Sequence, residues 1–314
     1  MRMLVLGAGA LGGYSGARLL QGGADITFLV RPRRAAQLAE HGLVVRSSTG
    51  EIHCSPKTLL QGQISGTFDF IVLTCKAYDL PSAMAAIAPA MGPGSIVLPL
   101  LNGVQHIELL EERFGTRRVF GGTTSVAAAL GEDGEIRRLP VPFDKTTFGD
   151  LSGAPSSRCD ELQQAFSAAE IPTVISPRIL ADMWRKFFVF ACSAAISTLM
   201  RAKAGAIAGA PSGGKLVSAA MAECRCVMAA EGFPPPVQAE EVLHGLFSQP
   251  GSTYCPSMLR DMERGGPTEG DHVIGDLVRR AARHDLDVPI LRAALCNLEI
   301  HERSGKDADD LRAE

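Results

Sequence analysis

The sequence predicts an α/β fold in which an N-terminal domain of alternating strands and helices is followed by an all-helical C-terminal domain. Three observations support this prediction. The chain opens with an apolar strand that runs into a glycine-rich turn, more apolar strand segments recur up to residue 175, and helical periodicity dominates from residue 179 onward. We therefore divide the 314 residues into domains at 1–176 and 177–314.

The composition is that of a globular protein and excludes several classes of function. Hydrophobic residues make up 46% of the chain, charged residues 21%, and the formal net charge is -3, so neither nucleic acid nor a membrane is an expected partner. The longest uncharged run, residues 187–200, is too short and too rich in Ser, Thr and Ala to cross a bilayer. The eight cysteines have no metal-ligand spacing, which excludes a metal site and predicts reduced thiols in a cytoplasmic protein.

The opening segment, MRMLVLGAGALGGYSGARLL, predicts a dinucleotide site. Gly7, Gly9 and Gly12 fit the pattern G-x-G-x-x-G between a strand and a helix-period run. In this pattern the first glycine makes the tight turn, the second lets the backbone approach a pyrophosphate, and the third lets the helix pack on the strand. The free amides at the helix N-terminus then bind the pyrophosphate. We interpret the domain as a Rossmann-type dinucleotide-binding domain.

The end of the second strand, DITFLV (25–30), favours NADP(H) as the cofactor. Dinucleotide folds specific for NAD carry an Asp or Glu about 20 residues after the glycines, where it binds the ribose 2′-hydroxyl. Here Arg31 stands 19 residues after Gly12 and opens the basic run RPRR. A guanidinium can pair bidentately with a 2′-phosphate, which a carboxylate would repel. The alternative interpretation is a solvated basic loop.

Two further strands end at polar residues that we expect to face the cofactor. FDFIVLTC (68–75) leads into Lys76, and SIVLPLL (95–101) leads into Asn102. Because ligands bind at the carboxyl ends of parallel strands, both side chains are candidates for cofactor binding. An ordinary surface lysine and a simple turn asparagine are the alternatives. Four shorter segments are expected to be extra strands that finish the sheet: 119–127, 136–139, 146–149 and 173–175.

Two charged residues stand out in the helical half, where substrate is expected to bind at the domain interface. Lys186 lies at the head of fourteen uncharged residues, a place where desolvating an ammonium is costly. Thr268 and Asp271 resemble a capping box, which puts Glu269 in the first turn of a helix running to about His284. Snorkelling from a helix start and a helix-dipole carboxylate are the structural alternatives for Lys186 and Glu269.

Seven motifs together resemble the ketopantoate reductases (2-dehydropantoate 2-reductases), from Met3 to about Ile300. They are, in order, GAGALG, FLVR, VLTCKA, LPLLNG, MWRKFF, PSMLRDMERGGPTEGDHVIG and DVP. The resemblance implies reduction of a small-molecule 2-keto acid to a 2-hydroxy acid with NADPH, and a homodimer.

Residue by residue, the resemblance extends the candidate site. It implies that Lys186 is the catalytic lysine and proton donor, and that Asn102 also reaches the substrate. Ser257 and Glu269 match the family's substrate-binding serine and its acidic residue. Desolvation would lower the pKa of Lys186 and a neighbouring Glu269 would oppose the shift, with the outcome open.

The same helix carries the main departure from the family. Asparagines usually stand four and eight residues after the lysine, where this chain has Phe190 and Ala194. Two substrate-binding amides are therefore absent, unless Ser193 or Ser197 replaces them. We expect the phenyl ring to favour a more apolar or differently shaped 2-keto acid, with ketopantoate as one candidate.

Two other functions remain open at this point. One is a dehydrogenase that oxidises a hydroxy compound, and the other is a catalytically inactive NADP(H)-binding sensor. Glu269 and His272, three residues apart, could form a metal or acid–base pair, but the sequence offers no evident third ligand.

Overall fold

The computed structural model describes residues 1–48, 50–139 and 144–313, with side chains to residue 304. These residues form two compact units. The N-terminal unit comprises Met1–Leu101 and His106–Asp182, and the C-terminal unit comprises Asn102–Gln105 and Met183–Glu314. The short segment that begins at Asn102 thus belongs to the helical unit, although it follows a strand of the other.

A five-stranded parallel sheet forms the centre of the N-terminal unit. Its spatial order is β5-β2-β1-β6-β7, and every pairing is parallel. The strands are β1 (Arg2–Leu6), β2 (Asp25–Leu29), β5 (Lys57–Leu59), β6 (Phe68–Leu73) and β7 (Met91–Pro99). The central strands β1 and β6 are buried on both faces, which explains their near-continuous apolar sequence. This topology confirms the Rossmann-type prediction.

Five helices belong to the same half of the sequence. They are α1 (Ala10–Gln21), α2 (Pro32–His41), α3 (Leu80–Ile87), α4 (Gln105–Phe114) and α5 (Ser157–Ala168). Helix α1 follows β1 directly and α2 follows β2, so each begins where a parallel strand ends. Phe148 and Phe166 pack with their ring centroids 5.8 Å apart inside the core of this unit.

The four shorter strand segments do not finish the parallel sheet, so that prediction is wrong. They contribute to two other sheets, β4-β3-β10-β9 and β12-β11-β8. The strands are β3 (Leu43–Ser47), β4 (Gly50–Cys54), β8 (Phe120–Thr124), β9 (Ala127–Leu130), β10 (Ile136–Leu139), β11 (Thr146–Asp150) and β12 (Thr173–Ile175). The reason is connection length: β9 and β10 are joined too closely for a parallel crossover and pair as an antiparallel hairpin. A single bridge, Val97 to Val119, joins the approach to β8 with β7.

The C-terminal unit is helical, as predicted. Its helices are α6 (Ile179–Met200), α7 (Ala204–Gly209), α8 (Gly213–Ala230), α9 (Val237–Phe247), α10 (Ser257–Glu263), α11 (Asp276–Arg283) and α12 (Pro289–Ala313). A π-helical turn, Asp271–Gly275, leads directly into α11. Trp184 on α6 stacks on Phe233 at a centroid distance of 5.3 Å. In the described part of the chain, no helix is both long enough and apolar enough to cross a membrane.

The predicted capping box at Thr268 is only half right. Thr268 Oγ1 does accept a hydrogen bond from the Gly270 amide, at 3.2 Å. The Thr268 amide, however, donates to Glu302 Oε1 at 2.6 Å, and Asp271 instead pairs with Arg279 at 2.6 Å. The reciprocal carboxylate therefore comes from α12, more than thirty residues away in sequence, where no local pattern could reveal it.

Candidate active site

The turn between β1 and α1 has the geometry that a dinucleotide requires. Gly7 adopts φ +90°, which side chains rarely allow. A Cβ on Gly12 would lie 2.2 Å from the Gly7 carbonyl oxygen and 2.3 Å from Thr74 Oγ1, so only glycine fits there. Gly9 caps α1, and a Cβ on it would meet nothing within 4 Å, so its backbone faces open space. The three glycines thus form a cradle that suits a pyrophosphate.

The register of the sheet brings the predicted cofactor residues to one edge. Leu6, the last residue of β1, is paired with Leu29 of β2 and with Leu73 of β6. The glycine turn, Arg31 and Lys76 each follow one of these three strand ends within three residues. Lys76 is half-buried at the start of a short 3₁₀ turn.

Arg31 is exposed but has a partner that the sequence did not suggest. Its Nη2 lies 2.6 Å from Asp79 Oδ1, and the two side chains are 75% and 30% exposed. Asp79 ends the 3₁₀ turn Ala77–Asp79, and its amide donates to the Lys76 carbonyl at 2.9 Å. The only signal in the sequence is an acidic residue three positions after Lys76, in the loop that follows a buried strand.

Arg34 holds the glycine turn in place from the side of α2. Its Nε donates to the Ala8 carbonyl at 2.9 Å and its Nη1 to the Gly134 carbonyl at 2.9 Å. Burial lowers the pKa of this guanidinium. In the sequence Arg34 is one member of the basic run RPRR. In the structure it supports the glycine turn, whereas Arg31 pairs with Asp79.

In the C-terminal unit, three predicted residues come together in a chain of polar contacts. Lys186 Nζ donates to Asn102 Oδ1 at 3.4 Å, and Asn102 Nδ2 donates to Glu269 Oε2 at 3.3 Å. Both contacts are longer than the usual 2.9–3.0 Å of N–H···O hydrogen bonds, as is common for catalytic groups without bound substrate. Glu269 is only 5% exposed, whereas Asn102 and Lys186 are half-buried. An ammonium, an amide and a carboxylate are thus aligned at one site.

The electrostatics of Lys186 decide a question that the sequence left open. Desolvation by burial lowers the pKa of its amine from 10.5 to about 8, and the charge of Glu269 opposes this shift without overcoming it. A lysine with this pKa is still mostly protonated at neutral pH but releases its proton far more readily than an exposed one. The group is therefore suited to donate a proton.

The two departures from the family pattern lie on the same helix as Lys186. Phe190 is half-buried one turn further along α6, and Ala194 is fully buried. Ser193 already donates to the Val189 carbonyl at 2.6 Å and is also hydrogen-bonded to Tyr254. Its hydroxyl is therefore engaged elsewhere in the fold.

Ser197 does not replace the missing amides either. Its Oγ is buried without a hydrogen-bond partner among the described residues. It stands eleven residues after Lys186, about 16 Å further along the helix axis at 1.5 Å per residue. A serine hydroxyl therefore does not replace the amides that are absent at positions 190 and 194.

Ser257 and His272, two further residues from the sequence analysis, differ in whether they contact the series Lys186–Asn102–Glu269. Ser257 is the half-buried first residue of α10, and nothing in the described chain joins it to Lys186, Asn102 or Glu269 by a hydrogen bond. His272 lies buried in the π-helical turn, where its ring is hydrogen-bonded to the Asn102 backbone, and burial lowers its pKa. The described residues include no cluster that could hold a metal. His272 therefore supports the Asn102 segment, a contact between distant parts of the chain that no local spacing could reveal.

Comparisons with known proteins match both halves of the chain. A family model described as ketopantoate reductase PanE/ApbA matches residues 3–153, and the model of its C-terminal part matches residues 178–300. The uncharacterized oxidoreductase YkpB of Bacillus subtilis (strain 168) is 35% identical over 302 residues, 96% of this chain and 99% of that protein. The 2-dehydropantoate 2-reductase of Halobacterium salinarum is 28% identical over 307 residues, 97% of this chain and 100% of that protein.

Solved structures show the same fold. A 2-dehydropantoate 2-reductase from Geobacter metallireducens GS-15 has a TM-score of 0.85 at 26% identity, with 95% of this chain and 99% of that chain covered. A ternary structure of D-mandelate dehydrogenase with NADH and anilino(oxo)acetate also has a TM-score of 0.85, at 22% identity over 98% and 100% of the chains. At that identity the second likeness concerns the fold alone.

Proposed function

The chain belongs to the ketopantoate reductase family, and on that premise we propose that it reduces a small 2-keto acid with NADPH. The family match confirms the resemblance found in the sequence and makes the chain an oxidoreductase. The observation that carries the proposal is the contact series Lys186–Asn102–Glu269, with the pKa of Lys186 lowered to about 8, so that the amine is protonated at neutral pH yet gives up its proton readily. The glycine cradle after β1 fits a nicotinamide dinucleotide.

The glycine turn and Arg31 would hold the nicotinamide dinucleotide, which would supply the hydride for the keto carbon. The carbonyl oxygen gains negative charge as the carbon–hydrogen bond forms, and Lys186 Nζ stabilises that charge and transfers a proton to it. The products are the 2-hydroxy acid, the oxidised dinucleotide and a neutral lysine. Asn102 orients the ammonium through Oδ1. The charge of Glu269 keeps Lys186 protonated until the proton is transferred to the substrate's carbonyl oxygen.

Phe190 and Ala194 support a substrate with an apolar side chain. In place of two amides, the helix that bears Lys186 offers a phenyl ring and a methyl group. A hydrogen bond is worth about 0.5–1.5 kcal/mol, so losing both would weaken a hydroxylated keto acid such as ketopantoate by roughly ten- to a hundredfold. A branched aliphatic or aromatic 2-keto acid has no side-chain hydroxyl that would lose a partner, and its side chain can pack against the phenyl ring.

A panel of 2-keto acids, followed by NADPH absorbance, tests the function and the substrate class together. We expect the purified protein to turn over apolar 2-keto acids with a higher kcat/KM than ketopantoate. Phe190→Asn should raise the kcat/KM for ketopantoate by about two- to tenfold, because one hydrogen bond is regained. Met200→Asn, at the exposed end of the same helix, is the control and should change nothing. Ketopantoate as the fastest substrate of the unaltered protein would contradict the substrate class.

The 2′-phosphate assignment has its own test in Arg31→Ala. We expect this change to weaken NADPH by about ten- to a hundredfold, the range for a hydrogen bond to a charged group, and NADH by much less. The Kd values can be measured from the fluorescence of the reduced nicotinamide. Lys57→Ala removes an exposed, ion-paired cation from the same sheet and serves as the control. Equal weakening of both dinucleotides would refute the assignment.

The same assay, extended to NADP⁺ with hydroxy compounds, distinguishes the two rival functions. A dehydrogenase that acts oxidatively would reduce NADP⁺ with hydroxy compounds, and a sensor would bind the dinucleotide but turn over no carbonyl compound. A homodimer and a cytoplasmic location stay proposals, the latter supported by the absence of any disulfide among the eight cysteines, all of which lie in described segments.

A further inference from the structure

The ion pair at the end of β2 combines two groups that dinucleotide folds normally use as alternatives. Arg31 follows β2, where a guanidinium suits a 2′-phosphate and a carboxylate suits a 2′-hydroxyl. Here the guanidinium is held, at 2.6 Å, by the carboxylate of Asp79, which arrives from the turn after β6. Both are exposed enough for a ligand to reach, at 75% and 30%.

We propose that Asp79 is a specificity-determining residue that narrows the preference of this site for NADPH over NADH. The inference rests on the proposed dinucleotide function. It concerns a different property, namely the balance between the two cofactors.

Charge explains the expected effect on NADPH. Asp79 uses one nitrogen of Arg31, so a 2′-phosphate must either displace the carboxylate or bind the remaining N–H groups beside it. If the phosphate displaces the carboxylate, the ion pair with Arg31 is lost. If it binds beside the carboxylate, a phosphate with close to two negative charges lies a few ångströms from the negative charge of Asp79. Either way, Asp79 opposes the phosphate.

The effect on NADH has the opposite sign. A ribose 2′-hydroxyl is neutral and donates a hydrogen bond, which a carboxylate accepts well. Asp79 can therefore take the part of the acidic residue that NAD-binding folds carry at the end of the second strand. The ion pair therefore offers NADH the carboxylate of Asp79 as an acceptor and offers NADPH the guanidinium of Arg31 as a cation.

Asp79→Asn tests the proposal, because it removes the charge and keeps the size. We expect the Kd for NADPH to fall by about three- to tenfold at low salt, with the Kd for NADH unchanged or raised. The gain for NADPH should shrink at high salt, since exposed charges are screened.

The control is Asp25→Asn, which removes an equally simple ion pair with Lys57, 2.8 Å long, from the opposite end of β2. It changes the net charge by the same amount and should leave the ratio of the two Kd values unaltered. If Asp79→Asn weakens NADPH, or shifts both dinucleotides equally, Asp79 does not determine specificity and the inference is overturned. If the unaltered protein binds neither dinucleotide, the proposed function fails as well. The Kd values of the unaltered protein therefore distinguish failure of the proposed function from failure of the inference about Asp79.

Discussion

Lys186→Met should reduce the turnover of 2-keto acids by about a hundred- to ten-thousandfold, the usual contribution of a positioned proton donor. Methionine has nearly the length of lysine and fills the same space without a charge or a proton. The dinucleotide should bind as before, because the glycine turn and Arg31 belong to the N-terminal unit. Single-turnover oxidation of bound NADPH, with nucleotide affinity measured separately, distinguishes loss of chemistry from loss of binding.

The stability of Lys186→Met also tests whether the amine is buried. A lysine that snorkels to solvent would contribute no pH dependence to the free energy of unfolding. The pKa of Lys186 is about 8 in the folded protein against 10.5 for an ordinary lysine, so protonation favours the unfolded chain below pH 10.5. The full penalty is present below about pH 8 and disappears as pH rises towards 10.5. The unfolding free energy of the unaltered protein should therefore rise, relative to Lys186→Met, across this window. Lys215→Met, at an exposed position on α8, should show no such trend, and a flat difference for Lys186 would contradict the buried-ammonium interpretation.

Features encoded within a few consecutive residues could be predicted from the sequence. The glycine turn is one, since Gly7 and Gly12 have local steric reasons to be glycine. The limits of β12 are another, because the short β-branched run Thr173–Ile175 lies between Pro172 and Pro177. The sheet to which each strand belongs could not be predicted in this way, since strand pairing depends on the length of connections and on partners far along the chain.

The candidate site shows the same division. Lys186, Asn102 and Glu269 were recognised from motifs, and the structure joins them by two contacts. Asp79 beside Arg31 was missed, because that ion pair is made between separate strand ends. The sequence indicated two opposing effects on the pKa of Lys186 but not which one is larger, since that depends on how much protein surrounds the amine and where Glu269 lies.

Glu269→Gln should lower the pH at which reduction begins to fail. Reduction requires a protonated Lys186, so kcat/KM should be level below about pH 8 and should decline above it. Glu269 raises the pKa of Lys186, and glutamine keeps the hydrogen bond to Asn102 without the charge. The descending limb of the pH profile should therefore move to lower pH, with a loss at pH 8 of about tenfold or more. Glu263→Gln, an exposed position on α10, should leave the profile in place.

A double variant decides whether Glu269 acts through the lysine. If its role is to keep Lys186 charged, adding Glu269→Gln to Lys186→Met should cost little further activity, because the group whose pKa it sets is gone. If Glu269 instead binds the substrate directly, the two losses should multiply, and the single variant should raise KM without moving the limb of the pH profile. If Glu269→Gln leaves the pH profile unchanged and the two losses multiply, Glu269 takes no part in the proton transfer and Lys186 acts without it.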